Sequence, residues 1–425
     1  MNERATPPPP LQGIRVIELG NYIAGPGTAM TLGDLGAEVV KIESLEGDMA
    51  RHTGHFGHAM LRAYNRSKKS IALDLREPRG KEVVHRLVAG ADVLVQNLRP
   101  GAAEALGLGA EALRAQHPGL VHVSIAGFPA EAPSRDRPGY DIAAQAESGM
   151  MSVTGEPGGL PQKVGATIID AATVQVAAQA TLAALFRRER TGAGETIRVS
   201  LLEVALSLQL PNWSDYLVRG VEPTRSGDGQ PMNAPAADIF RTRDGMVVVS
   251  AYVQSHWVRL CEAIGCPELA TDARFLSNEL RVANRPAMKE LVSARLSDCS
   301  TQECVDLLTR NNIVVGVVRS YSEALAGEDF RASRMVIDVA PNGEGPGYPS
   351  FGLPYELCDT PRRPTQAAPA HGAHTEEVLR EAGFGADEIA ALEAQGVVKA
   401  SAPGPRAGHT KQLFIPCTPA HSAPP

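Results

Sequence analysis

Apolar positions in the first half of the chain come in short unbroken runs rather than in alternation. Ile14–Leu19, Glu38–Glu43, Ser70–Leu75, Asp92–Val95, Leu120–Ile125 and Glu195–Ser200 each predict a strand buried on both faces. Stretches with helical spacing lie between them. Thr28–Leu35 is short, and Arg79–Ala89 lines up Val83, Val84, Leu87 and Val88 on one face. Asp170–Arg190 is alanine-rich and ends in a basic cluster and Thr191-Gly192, ordinary helix-stop signals. Leu201–Leu210 is a further helix. Strands alternating with helices predict an α/β fold with a mostly parallel sheet covered on both sides. After Pro211 the character changes. A polar, glycine-containing loop (Arg225–Gln230) leads to a strand at Met246–Val253 and helices at His256–Ile264, Pro286–Leu296 and Thr301–Asn311. A strand at Val314–Val318 follows, and late helices are predicted at Glu376–Ala382 and Asp387–Gln395. The expected organisation is a flexible leader (1–10), a large domain (11–224), a smaller α+β domain (225–325), a return to the large domain (326–400) and a disordered tail (401–425) rich in Pro, Ala, Gly and Ser.

Composition narrows the function classes. A length of 425 residues suits two domains, and the net charge of −7 argues against a general nucleic-acid binder. No unbroken apolar run of about 18 residues predicts a membrane span. Residues Met1–Pro10 lack the apolar core of a secretory signal. Six cysteines are scattered without zinc-site spacing, which predicts no metal site and reduced thiols in a cytoplasmic protein.

Several segments invite chemistry. Gly20, Gly25 and Gly27 lie between a strand and a helix, with Glu43 at the end of the next strand. Met30 stands where G-x-G-x-x-G needs its third glycine, so a tight turn is a better reading than a nicotinamide site. Asp170 opens an alanine-rich helix and has two readings, a helix cap or an ionised carboxylate able to attack an activated acyl carbon. Asn97-Leu98-Arg99-Pro100-Gly101 follows a strand, where open sheets bind ligands, and also reads as a plain turn. Arg51, Arg66, Lys68 and Lys69 suit phosphates, although a solvated surface is the ordinary reading for each. Gly227 and Gly229 flank Asp228 in a candidate flap or interdomain loop.

Taken together, the chain resembles the class III coenzyme A-transferases, the family of formyl-CoA transferase and carnitine CoA-transferase. The motifs that carry the resemblance are Leu11–Leu19, Ala24-Gly25-Pro26, Leu35–Glu43, Asn65–Leu75, Ala91–Asn97, Arg137-Pro138-Gly139-Tyr140-Asp141, Arg188–Gly192 and Val199–Glu203, in that order. The resemblance implies a Rossmann-like large domain built from both ends of the chain, an inserted smaller domain and an interlocked homodimer. It implies acyl-CoA and a carboxylic acid as partners, with coenzyme A as substrate and no other cofactor. Asp170 matches the nucleophilic aspartate. Ala24, Leu73, Arg76, Asn97, Arg99, Arg137 and Tyr140 match CoA-contacting positions. Ile23, Asp141, Gly227 and Gly229 match substrate or flap positions, Asp141 taking the place of an active-site glutamate. Ile23 stands where formyl-CoA transferase has a glutamine, which argues against small oxalate-type substrates. Ser44 and Ala105 replace arginines of that enzyme, and Val174 holds a position that is commonly glycine. These departures keep a non-catalytic acyl-CoA-binding homologue as an alternative. α-Methylacyl-CoA racemases are another, but they place a histidine before the aspartate where Tyr140 stands, and tyrosine is a much weaker base near neutral pH.

Overall fold

The apolar runs form one sheet. In the computed structural model, which describes residues 7–230, 236–342, 346–360 and 362–399, they become β1 (Arg15–Leu19), β2 (Glu38–Glu43), β3 (Lys69–Leu73), β4 (Val93–Gln96), β5 (Val121–Ala126) and β6 (Glu195–Ser200). With the two-residue strand β12 (Val398–Lys399) they make a seven-stranded sheet in the order β12-β3-β2-β1-β4-β5-β6. β1 pairs in parallel with β2 and β4, β2 with β3, and β4 with β5, so the carboxyl ends of these five strands share one edge. β12 pairs with β3 in the antiparallel sense, with Val398 opposite Leu73. Most of leader 1–10, residues 1–6, and all of tail 401–425 lie outside the described residues.

Strand residues Ile17, Val40, Ile71 and Leu94 form one core with Val83, Val84, Leu87 and Val88 of the Pro78–Ala89 helix and with Val378 and Leu379 of the Thr375–Glu381 helix. Each fully buried aliphatic side chain contributes roughly 1.5–3 kcal/mol, and these strands are covered on both faces, so their runs are continuous rather than alternating.

The chain divides into two compact units. The first comprises residues 1–125, 177–198 and 337–425, and holds this sheet; the second comprises residues 126–176 and 199–336. The second has its own core, on an antiparallel sheet of β7 (Ala237–Arg241), β8 (Met246–Ser250) and β9 (Val314–Val317). Val247 and Val249 of β8 are buried while Met246 and Val248 are exposed, the alternation of a sheet with one covered face. Trp257 meets Phe275 edge to face at 5.9 Å in the same core. The predicted strand Met246–Val253 stops at Ser250 because Val253 already caps the Gln254–Ala263 helix. A two-stranded ribbon, β10 (Val336–Val339) with β11 (Tyr348–Phe351), follows.

Several elements depart from the sequence pattern. The first helix spans Ala24–Asp34 and takes in Gly25 and Gly27, expected to be turn residues. Helices at Gly54–Tyr64, Ala110–Gln116 and Asp141–Glu147 carry too few apolar periods to be read. The predicted helix Leu201–Leu210 breaks after Ser207, and Pro211 starts a new helix over Leu210–Arg219 from its favoured first-turn place. The alanine-rich helix runs Ile168–Thr191, and its length and mean hydropathy of 1.4 reach what a membrane span needs. It holds no unbroken apolar run, because alanine supplies the hydropathy and polar residues interrupt it; 44% of its apolar stretch is buried in the protein.

Candidate functional site

In the first unit, the carboxyl ends of β1 and β4 hold one tight turn. The Asn97 carboxamide accepts from Asn21 N at 2.9 Å and donates to Asn21 O at 3.0 Å. Asn21 Oδ1 accepts from Met49 N at 2.9 Å. Tyr22 is thereby held at φ 63, a left-handed conformation uncommon outside glycine. The neighbouring glycines are needed for space rather than for positive φ: a Cβ on Gly25 would lie 3.1 Å from the Asn97 carboxamide. The first helix then starts at Ala24 with no side-chain cap and no acidic residue in its first turn. Its leading N–H groups lack intrahelical acceptors and carry the positive end of the helix dipole. Ile23 and Ala24 are almost wholly buried, so this turn can meet a ligand chiefly through its backbone.

Beneath the turn lies a buried charge network that the sequence does not announce. Glu18 bridges Lys41 at 2.7 Å and Lys68 at 2.6 Å, and Lys41 also pairs with Asp48 at 2.9 Å. Lys41 donates to Gly20 O, Lys68 donates to Pro26 O, and Asp48 Oδ1 accepts from Tyr22 N. Burial disfavours the ammonium of Lys41, but Glu18 and Asp48 outweigh it and hold its pKa above the usual range. Burial pulls Lys68 down to about 8 against the opposing pull of Glu18. Burial alone would raise Glu43; Arg51, Lys41 and Ser70 together bring it down to about 2. Arg66, paired with Asp34, is as buried as Lys68. Neither the phosphate reading nor the solvated-surface reading of Arg66 and Lys68 describes what they do here.

The other sequence-chosen residues of this unit are more scattered. The Leu73 side chain is in the core and its backbone faces Val398 across the sheet. Arg76 is exposed and forks onto Asp74 two residues away. Arg99 is exposed in the loop after β4. Ser44 O accepts from Gly47 N at 2.9 Å and from the ring of His371 at 2.8 Å, and Ala105 O accepts from Lys81.

In the second unit, Asp170 is the third residue of the Ile168–Thr191 helix rather than its cap. The cap comes from another helix. Asp141 Oδ2 accepts from Ile169 N at 2.7 Å and from Asp170 N at 3.2 Å. Gln145 Nε2 donates to Asp141 Oδ1, and Gln145 Oε1 accepts from Val164 N at 2.9 Å. The Asp170 carboxylate itself receives no hydrogen bond from any described residue. Burial first, and the charge of Asp141 second, push its pKa up to about 7. Val174, one turn on, is buried and so fixes that side of the helix.

Backbone contact explains how Tyr140 and Asp141 are placed. Gly127 and Gly139 pass so closely that a Cβ on Gly139 would lie 2.6 Å from Gly127 Cα. Arg137 pairs with Glu147 at 2.7 Å and lies over the Phe128 ring. Tyr140 precedes the Asp141–Glu147 helix and is largely exposed. Gly227 N donates to Gly155 O at 3.1 Å, and Lys289 reaches Asp228 at 2.8 Å, so the Gly227-Asp228-Gly229 segment is fastened at its centre. A Cβ on Gly229 would collide with the Arg285 guanidinium. Gln145, Glu18, Lys41 and Asp48 are the residues that sequence reasoning missed; the only signal for them was their position inside the quoted motifs or near them.

The family model for CoA-transferase family III matches residues 11–375. The succinate–glutarate CoA-transferase of Agrobacterium fabrum is 33% identical over 384 residues, 88% of this chain and 96% of that protein. The succinyl-CoA–D-citramalate CoA-transferase of Chloroflexus aurantiacus is 33% identical over 399 residues, 92% of this chain and 99% of that protein. The crystal structure of a CAIB/BAIF family protein from Brucella suis superposes with a TM-score of 0.78 at 33% identity, covering 88% of this chain and all of that one. The mixed α/β architecture is that of these structures, and the chain belongs to CoA-transferase family III.

Proposed function

We propose that this enzyme moves coenzyme A from an acyl-CoA to a free carboxylic acid through covalent adducts on Asp170. The observation that carries the reading is the condition of that carboxylate. It sits at the head of a helix, largely withdrawn from water, touched by no donor among the described residues and set against a second carboxylate. Such an anion keeps its electron pairs free for attack, unlike a solvated one.

In the proposed cycle an Asp170 oxygen attacks the thioester carbon. The C–S bond breaks, CoA leaves as thiolate, and a mixed anhydride forms. The thiolate then attacks the aspartyl carbonyl, releasing the first acid as its carboxylate and leaving an aspartyl-CoA thioester. The second acid runs these steps in reverse: its carboxylate displaces the thiolate, and the thiolate takes up the new acyl group. Asp170 returns as a free carboxylate, and no proton, water or electron is consumed. Holding donor and acid in one dry site offsets the entropy of meeting and suppresses hydrolysis. Coenzyme A is a substrate, not a resident cofactor. The backbone at Ala24, with Asn97, Arg99, Arg76, Leu73, Arg137 and Tyr140, is assigned to CoA. Ile23, Gly227 and Gly229 are assigned to the acyl side, and two relatives named for succinate, glutarate or D-citramalate put small dicarboxylates first among the acids. The assembly proposed is the interlocked homodimer.

Incubation with an acyl-CoA followed by hydroxylamine is expected to leave a hydroxamate on the peptide containing Asp170, read by mass spectrometry. An unmodified peptide together with Asp170→Ala that still exchanges CoA would overturn the reading.

A further inference from the structure

Both oxygens of Asp141 are committed inside the protein. One accepts from two consecutive N–H groups of the Asp170 helix, the other from Gln145. Gln145 is fully buried, and its second amide atom accepts from Val164 in the segment leading to that helix. The amide therefore ties the approach segment and the capping carboxylate into one unit. Asp141 is 7% exposed, which leaves its carboxylate little access to a substrate.

We propose that Asp141 and Gln145 form a positioning pair for the transfer reaction, the amide orienting the carboxylate and the carboxylate fixing the helix turn that carries Asp170. The physical basis is local. The first N–H groups of a helix lack intrahelical acceptors, and an acceptor from outside the helix sets where that turn stands. A carboxylate is also the acceptor that the helix dipole favours there. The arrangement has a second effect, because the same anion lies close enough to Asp170 to oppose its ionisation. Loss of aim by about 1 Å costs on the order of 100-fold in rate, so a pair that only orients can still govern turnover.

The proposal rests on the reading of Asp170 as nucleophile, and the test separates the two. CoA exchange is followed by mass spectrometry of the acyl-CoA products. Gln145→Met removes both hydrogen bonds of the amide, and Asp141→Asn turns one amide donor toward another. Each is expected to lower kcat by roughly 10- to 100-fold while KM for acyl-CoA moves less than about threefold. The double variant Asp141→Asn with Gln145→Glu exchanges acid and amide and allows all four hydrogen bonds again. It is expected to recover at least about tenfold over either single change. Single variants with kcat within twofold of the parent overturn the proposal, as does a double variant no more active, or no better folded by melting temperature, than the singles. If Gln145→Met does not fold, the double variant decides. Asp170→Ala retaining exchange would instead remove the nucleophile reading itself.

Discussion

Two groups of buried charge in this protein are built on opposite plans. In the first unit, Glu18, Lys41, Asp48 and Lys68 alternate in sign, and each carboxylate meets an ammonium within 3 Å. In the second unit, Asp170 and Asp141 are both acids, and the Asp170 carboxylate has no hydrogen-bond donor among the described residues. The first arrangement cancels the cost of burying charge and fixes the turn above it; its value is rigidity. The second leaves that cost in place, on the carboxylate that attacks in the proposed cycle. Pairing marks a charge that holds structure, whereas like charge without pairing marks one available for chemistry.

The comparison can be broken in several ways. The largest expected effect is on rate: Asp170→Ala should reduce CoA exchange by roughly 10³-fold or more while the protein stays folded. An assay of acyl-CoA products alongside a melting curve checks it. Next comes stability. Glu18→Ala leaves Lys41 with one partner and Lys68 with none of opposite charge, and should cost about 3–5 kcal/mol in urea unfolding. A cost near zero would show that the network does not hold the first unit together.

Acidity provides the next contrast. Because the proposed attack needs Asp170 ionised and burial pushes its pKa up to about 7, kcat/KM should fall about tenfold per pH unit well below that value. A pH–rate profile flat from pH 5 to 8 would contradict it. The same shift acts on folding. The folded-state pKa lies above the unfolded value near 3.9, so this group favours the folded state below pH 4 and that contribution is lost as pH rises through about 7. Asp170→Asn should therefore stabilise the protein at pH 8, by about 1–2 kcal/mol after allowance for partial exposure, with a gain that shrinks toward pH 5. The smallest effect concerns Arg76, paired on the surface with Asp74. Arg76→Ala should leave the melting temperature unchanged and raise KM for acyl-CoA by about two- to fivefold if the guanidinium meets a phosphate.

The sheet was legible because its strands are doubly buried and so read as unbroken apolar runs. Gly54–Tyr64 was not, since two glycines and three polar residues dilute its apolar face. Asp170 could be placed at a helix start from spacing, but spacing alone could not distinguish a cap from a reactive group. The difference depends on Asp141, 29 residues away, which supplies the cap and frees Asp170 from that duty. The buried lysines were invisible for a related reason. A sequence displays the charge of Lys68 but not Glu18, 50 positions earlier, waiting for it.

β12 carries a consequence for behaviour in concentrated solution. Without it, β3 would be the rim of the sheet; His374 and Thr375 already hold its backbone at Ser70 and Ala72, and the edge beside Leu73 would lie open to any passing chain. Among the described residues the rim is a two-residue strand carrying Lys399, a short charged edge that disfavours the stacking of one molecule upon another.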